Sequence, residues 1–189
     1  MLKRLIDHWV YGGALAGVVI LALTPILARG WSPALLASFL CLPIYMLHQY
    51  EEHDADRFRQ FVNAHLGAGR AVLTPLTVFI VNVPGVWGLA AVGFAASTVD
   101  AGYGLIGLYL VAVNAVVHIV PAIRTRTYNP GLVTAVVLFV PLGIIGIGAV
   151  DAAGGGTILH HAEGLALAIA VHLAIIAAVL WRRHRLSQA

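Results

Sequence analysis

Stretches of about twenty consecutive apolar residues recur along this chain, each long enough to cross a hydrocarbon layer of roughly 30 Å as a helix. No other feature narrows the fold so far. In lipid every backbone N–H and C=O must be satisfied internally, which leaves helices or a closed barrel. A barrel would show short segments of alternating polarity, and the sequence has none of that pattern. Composition agrees: 60% of residues are hydrophobic and 10% charged, where a water-soluble domain carries about a quarter charged. The mean hydropathy of +0.91 points the same way. The expected class is an all-α, polytopic transmembrane helix bundle, a single domain over residues 1–189. Cys41, the only cysteine, lies inside an apolar run, so neither a disulfide framework nor a thiolate metal cluster is expected.

Six spans are expected: Trp9–Ala28, Pro33–Glu52, Ala71–Ser97, Tyr103–Ile123, Gly131–Val150 and Thr157–Trp181. Pro84-Gly85 interrupts the third, as a kink or a split. "RGWSP", "TVDAGYG" and "DAAGGGT" read as short turns. Residues 53–69 form a polar segment, expected at the cytoplasmic interface with Phe58, Phe61 and Val62 resting on the membrane. Basic residues test this layout. Lys3, Arg4, Arg57, Arg59, Arg70, Arg124, Arg126, Arg182, Arg183 and Arg185 fall on one side and Arg29 alone on the other. The positive-inside rule makes the first side cytoplasmic, with both termini inside and the protein in the cell membrane. Trp9, Trp31 and Trp181 fall at interfaces, whereas Trp87 is expected between helices. Lys3 and Arg4 precede an apolar run, as in a signal peptide. But Val10–Leu27 is longer than a usual signal core and "PILARG" is a poor cleavage site, so the helix is expected to be retained.

The stretch "MLHQYEEHDADRFRQF" carries the densest polar cluster. It places His48, Glu51 and Glu52 at the cytoplasmic end of the second span. At 100° per residue, Glu52 lies about 40° from His48 and Glu51 about 60° to the other side, so all three share a face; His53 lies about 140° away. A histidine with carboxylates three and four residues on can converge on one cation or share one proton. Di-iron carboxylate bundles use related spacing in the order Glu-x-x-His. In "YLVAVNAVVHIVPA", Asn114 and His118 lie about 40° apart on the fourth span, at the depth of His48. Polar side chains within spans tend to face the bundle interior, and two such clusters at one depth point to a shared site. Asn82, His8 and His172 are further candidates for it. His160, His161 and Glu163 fall at the opposite membrane face and read as a cluster at a helix start.

The run His48-Gln49-Tyr50-Glu51-Glu52 resembles the signature of the HXXEE family of integral membrane proteins, and Asn114-x-x-x-His118 resembles that family's second motif. The family is one of unknown function, so the resemblance implies a functional set (His48, Glu51, Glu52, Asn114, His118) and no reaction. A fainter likeness links the chain to glutamate-dependent CAAX-type membrane proteases. It departs from them because Arg57 comes one position too late after the glutamate pair and the Asn/His order is reversed.

Two functions follow. In the first, a membrane enzyme holds a divalent metal, zinc or iron, through His48, Glu51, Glu52 and His118. Glu51, Glu52 and Asn114 serve catalysis. Hard carboxylates with imidazole suit such metals; zinc would support hydrolysis and an iron pair oxidation of an apolar substrate. The expected partner is a membrane lipid or apolar small molecule, and no nucleic acid. In the second, the same residues relay protons or cations in a transporter. Haem held by His118 and His172 ranks last because it leaves the glutamates without a role.

Overall fold

The computed structural model describes residues 1–188. Among the described residues helix accounts for 84% and no strand occurs, so the all-α class holds. The helices are α1 (Leu2–Leu27), α2 (Pro33–His53), α3 (Arg57–His65), α4 (Pro75–Ser97), α5 (Ala101–Thr125), α6 (Leu132–Ala152) and α7 (Ile158–Ser187). Their starts follow local chemistry. Ser32 accepts from the Leu35 amide ahead of Pro33, Thr74 from Thr77 ahead of Pro75, and Thr157 from His160. Each hydroxyl satisfies an amide that the first helical turn leaves free, and proline at the first helical position loses no bond.

Five helices, α1 and α4 to α7, are long and apolar enough to cross a membrane, which is compatible with a multi-pass membrane protein. The second expected span is the exception. α2 has 21 residues, as many as α6, but its last turns carry the polar run from His48 to His53. That run is tolerable because α1, α4, α5 and α6 all pack around α2, so protein rather than lipid covers its polar groups.

Other departures from the sequence reading have local causes. α1 begins at Leu2, well before Trp9, and a kink at His8 (φ −130°, ψ 15°) divides its first turns from the apolar part. α4 is one helix: Pro84 sits in a π-helical turn, Val81–Trp87, whose wider spacing accommodates the missing N–H and the ring. The apolar face of α3 packs on protein. Val62 is buried, and Phe58 and Phe61 pack with it onto a cluster containing Trp9, Val72 and Val78. The amphipathic pattern was legible, but the surface covering it is protein. Arg183 Nη1 donates to the Leu66 carbonyl at 3.2 Å and ties this segment to α7.

The main core lies between α2, α5 and α6, where Cys41, Leu105, Leu108, Val111, Phe139 and Val150 are fully buried. Trp87 packs between helices as expected, 5.7 Å from Trp9 between ring centroids. Its Nε1 donates to Gln49 Oε1 at 2.5 Å, and Gln49 Nε2 donates to Asn82 Oδ1 at 2.8 Å. Asn82 therefore spends its polar group locking α4 to α2. α5 and α7 approach closely at Gly164, where an added Cβ would lie 2.9 Å from the Leu105 carbonyl oxygen. Gly164→Val is expected to lower stability by about 1–3 kcal/mol through overpacking. Gly148→Ala, whose new carbon meets nothing within 4 Å, is expected to stay within about 0.5 kcal/mol of the parent. Thermal unfolding in detergent measures both.

Candidate functional site

His48 and Glu52 stand one helical turn apart near the end of α2, and His118 faces them from α5. All three are buried, with exposures of 0%, 6% and 4%. One ligand atom from each lies within 4.8 Å of the others. Glu52 presents Oε2 to His48 Nε2 at 3.7 Å and Oε1 to His118 Nε2 at 3.6 Å. These gaps exceed hydrogen-bond length. They are close to the separation of about 3.4 Å between ligand atoms around a tetrahedral ion with bonds of roughly 2.1 Å.

The partners of the other ring nitrogens fix the protonation pattern. Thr134 Oγ1 lies 2.5 Å from Glu51 Oε2 and 2.9 Å from His48 Nδ1. A carboxylate only accepts, so the hydroxyl hydrogen goes to Glu51, and the hydroxyl oxygen takes the proton of His48 Nδ1. His118 Nδ1 lies 2.8 Å from Asn129 Oδ1, and Asn129 Nδ2 donates to the His118 carbonyl at 2.9 Å. That second bond sets the amide orientation, so Oδ1 accepts from Nδ1–H. Both imidazoles thus carry a proton on Nδ1 and turn Nε2 toward Glu52, and in the neutral ring that nitrogen offers its lone pair. His48 Nε2 is enclosed without any hydrogen-bond partner. Gly131 closes the back of the site. Its φ is +97°, and an added Cβ would lie 2.8 Å from Cε1 of both His48 and His118, so glycine is required there for backbone and for space.

Glu51 does not join this group, contrary to the sequence reading. Its Oε1 accepts from Tyr128 Oη at 2.8 Å and the Val133 amide at 3.1 Å, while Oε2 takes the Thr134 amide at 2.7 Å besides the Thr134 hydroxyl. These are first-turn amides of α6, which have no partner within their own helix, and a carboxylate at a helix N-terminus is favoured by the dipole. With four donors its lone pairs are occupied. Burial, and then the bond to Glu51, raise the Tyr128 phenol above its ordinary value, which keeps it a donor.

Asn114 is half-buried one turn from His118 and stays outside the three-residue group, its Oδ1 enclosed without a partner. His172 Nδ1 bonds the Ala168 carbonyl at 2.8 Å, and His118 turns its Nε2 to Glu52 instead of to His172. His8 is exposed at the α1 kink. His161 bonds Tyr109 and Asp151, and His160 bonds Thr157 and the Gly155 carbonyl, a helix-start cluster as expected. The sequence reading missed His53. Its Nε2 lies 3.1 Å from Glu52 Oε2 but out of line for a hydrogen bond. Its ring packs 5.3 Å from both Trp9 and Phe58. α2 ends at His53 (φ −112°, ψ −2°), so the helical-wheel angle no longer applied there. Asn129, Gly131 and Thr134 were missed as well. The signal for them was "TYNPGLVT", a turn carrying two side-chain acceptors and a glycine just ahead of a helix.

Fold and site together define a class: an apolar helical bundle with a buried His–Glu–His group that could hold a metal ion. A family model described as "Protein of unknown function with HXXEE motif" matches residues 39–145, more than half of the chain, and the chain belongs to that family. A search of curated proteins and of solved structures finds no significant match. The matched region contains His48, Glu51, Glu52, Asn114, His118, Asn129, Gly131 and Thr134 and stops short of α7.

Removing the cap should loosen α6 from its first turn. Glu51→Ala is expected to cost about 0.5–2 kcal/mol, as loss of a helix N-terminal cap does, because the first-turn amides and the Thr134 hydroxyl lose their acceptor. Hydrogen exchange should accelerate most at the Val133 and Thr134 amides. Glu51→Gln, which keeps one acceptor oxygen, should fall between the variant and the parent.

Proposed function

We propose that the chain is a membrane enzyme dependent on a divalent metal, zinc or iron, held by His48, Glu52 and His118, and that it acts on a lipid-like or otherwise apolar substrate. One observation carries this reading: two imidazole lone pairs, each fixed by an Nδ1 hydrogen bond, are aimed at a buried carboxylate. With both rings neutral, three electron-rich groups converging away from water repel one another unless a cation stands between them. Hydrogen bonds on the distal imidazole nitrogen are also the usual outer support of metal-ligating histidines. Two nitrogens and a carboxylate without thiolate suit zinc or iron. Bound zinc would supply a Lewis acid and an activated water for hydrolysis, and bound iron would supply redox chemistry.

The chain's own residues do the positioning. Thr134 and Asn129 hold the two rings in the ligand tautomer, and Glu51 holds Thr134. Gly131 lets both rings approach, and Phe139, 4.2 Å from His48 between centroids, helps exclude water. The same reading makes α2 a sixth span and sets the group, residues 53–69 and both termini at the cytoplasmic face of the cell membrane. It rests on ten basic residues lying on that side of the layout against Arg29 on the other. A proton or cation relay has less support, because fully buried Cys41, Leu105, Leu108 and Val111 fill the bundle between the group and its far end.

Elemental analysis of detergent-purified protein is expected to find stoichiometric metal, lost in His48→Ala, Glu52→Ala and His118→Ala and retained in Glu51→Gln. Thr134→Val, which removes the acceptor of His48 Nδ1–H, should weaken metal affinity by about 10- to 100-fold. A metal-free protein that moves protons or cations into liposomes in a His118-dependent way would replace this reading with the transporter.

A further inference from the structure

An apolar cleft of about 350 Å³ lies between α5 and α6. Buried Ala115, Gly143 and Phe139 line its inner side, and Val116, Val120 and Ile144, exposed by 56%, 45% and 70%, stand at its mouth. Every lining side chain is apolar. The cleft follows the helices, from Ala112 to Val120 on α5 and from Phe139 to Ile147 on α6, about 12 Å on each at 1.5 Å per residue. Its direction is therefore that of a lipid chain standing in the bilayer. One end, at Val120 and Phe139, is level with His118; the other runs toward mid-membrane. Phe139 belongs to both features: it lines the cleft and lies against the His48 ring, tilted by 34°.

We infer that the α5–α6 cleft binds the hydrocarbon chain of a cytoplasmic-leaflet lipid that is the substrate of the His48–Glu52–His118 group, with Phe139 as the partition between chain and group. This rests on the reading of that group as the reacting centre. The surrounding phase is hydrocarbon, and an unfilled cleft forfeits dispersion contacts on one side. Its small inner residues let a chain approach the helix backbones, as they do for neighbouring helices in membranes. The depth sets the chemistry further. A chain seated here places its headgroup linkage and first carbons, rather than its methyl end, beside Phe139 and His118. The substrate class is thus a lipid whose reacting bond lies near the headgroup.

The full chain is reconstituted in phosphatidylcholine vesicles containing phosphatidylcholine with a diazirine in mid-chain, irradiated, and mapped by mass spectrometry, with metal content measured on the same preparations. Adducts are expected to concentrate on Val116, Ile144 and Ile147. In Gly143→Leu they should fall to the level of other lipid-facing residues such as Val18 and Leu173, with metal retained. An added Cβ at Gly143 makes only ordinary contact, 3.4 Å from Ala112 Cβ. Val116→Trp, which fills the mouth from an exposed position, is the second variant and should do the same. Cleft adducts in a protein without metal would uphold the chain site and overturn the metal reading instead. Labelling spread evenly over the lipid-facing helices, labelling unchanged in both filled variants, or efficient disulfide pairing of two copies through Ile144→Cys would overturn the proposal.

Discussion

A carboxylate with 6% of its surface exposed needs a counter-charge or a set of donors, and Glu52 faces three imidazoles, His53 at 3.1 Å, His118 at 3.6 Å and His48 at 3.7 Å, none of them in hydrogen-bond geometry. Its two oxygens look at Nε2 of His48 and of His118. Taking a charge out of water costs several kcal/mol even after relaxation, so much of the local structure is arranged around this one side chain. α2 carries it in the middle of the bundle, where α1, α4, α5 and α6 keep lipid away. The loop between α5 and α6 supplies Asn129 to the outer edge of one ring and Gly131 to the space between them, and the first turn of α6 supplies Thr134 to the outer edge of the other. A side chain at position 131 would drive both imidazoles off Glu52 at once.

The paired glutamates of the family motif now have distinct physical roles. Successive residues on a helix point about 100° apart, so Glu51 and Glu52 cannot both face one small group. With His48 and Glu52 turned inward at i and i+4, Glu51 turns sideways and meets the start of α6. The second glutamate completes the buried group, and the first fastens a neighbouring helix to it through Thr134. A motif of this shape records one contact inward and one across.

The helices were legible because apolar runs in lipid leave few alternatives, and the His48–Glu52–His118 group was legible from spacing and depth. The assignment of Glu51 was not. A helical wheel shows direction but not what stands there, and the amides that take Glu51 belong to residues 82 and 83 positions away. His53 escaped because its angle was reckoned on a helix that stops at that residue. Two left-handed residues follow closely, Ala55 (φ 51°) and Asp56 (φ 63°), and they turn the chain into α3. The supports on Asn129 and Thr134 read as ordinary turn chemistry, since nothing local to "TYNPGLVT" reveals that two imidazoles lie over it. α2 stands outside the five long apolar helices for a related reason: a central helix can be polar at one end when its neighbours shield it, and a hydropathy criterion does not see neighbours.

The cap on α6 also bears on the order in which the protein is made. Ribosomal synthesis runs from the N-terminus, so α2 exists well before the amides of Val133 and Thr134 emerge. Until they do, Glu51 has no backbone partner and His48 no hydroxyl to settle its tautomer. A nascent chain that stops after α5 holds every residue of the His–Glu–His group yet lacks the scaffold that aims it. Maturation of the site is therefore coupled to completion of the fifth long apolar segment counted along the polypeptide, α2 included, and unfinished chains carry the group in an unassembled form.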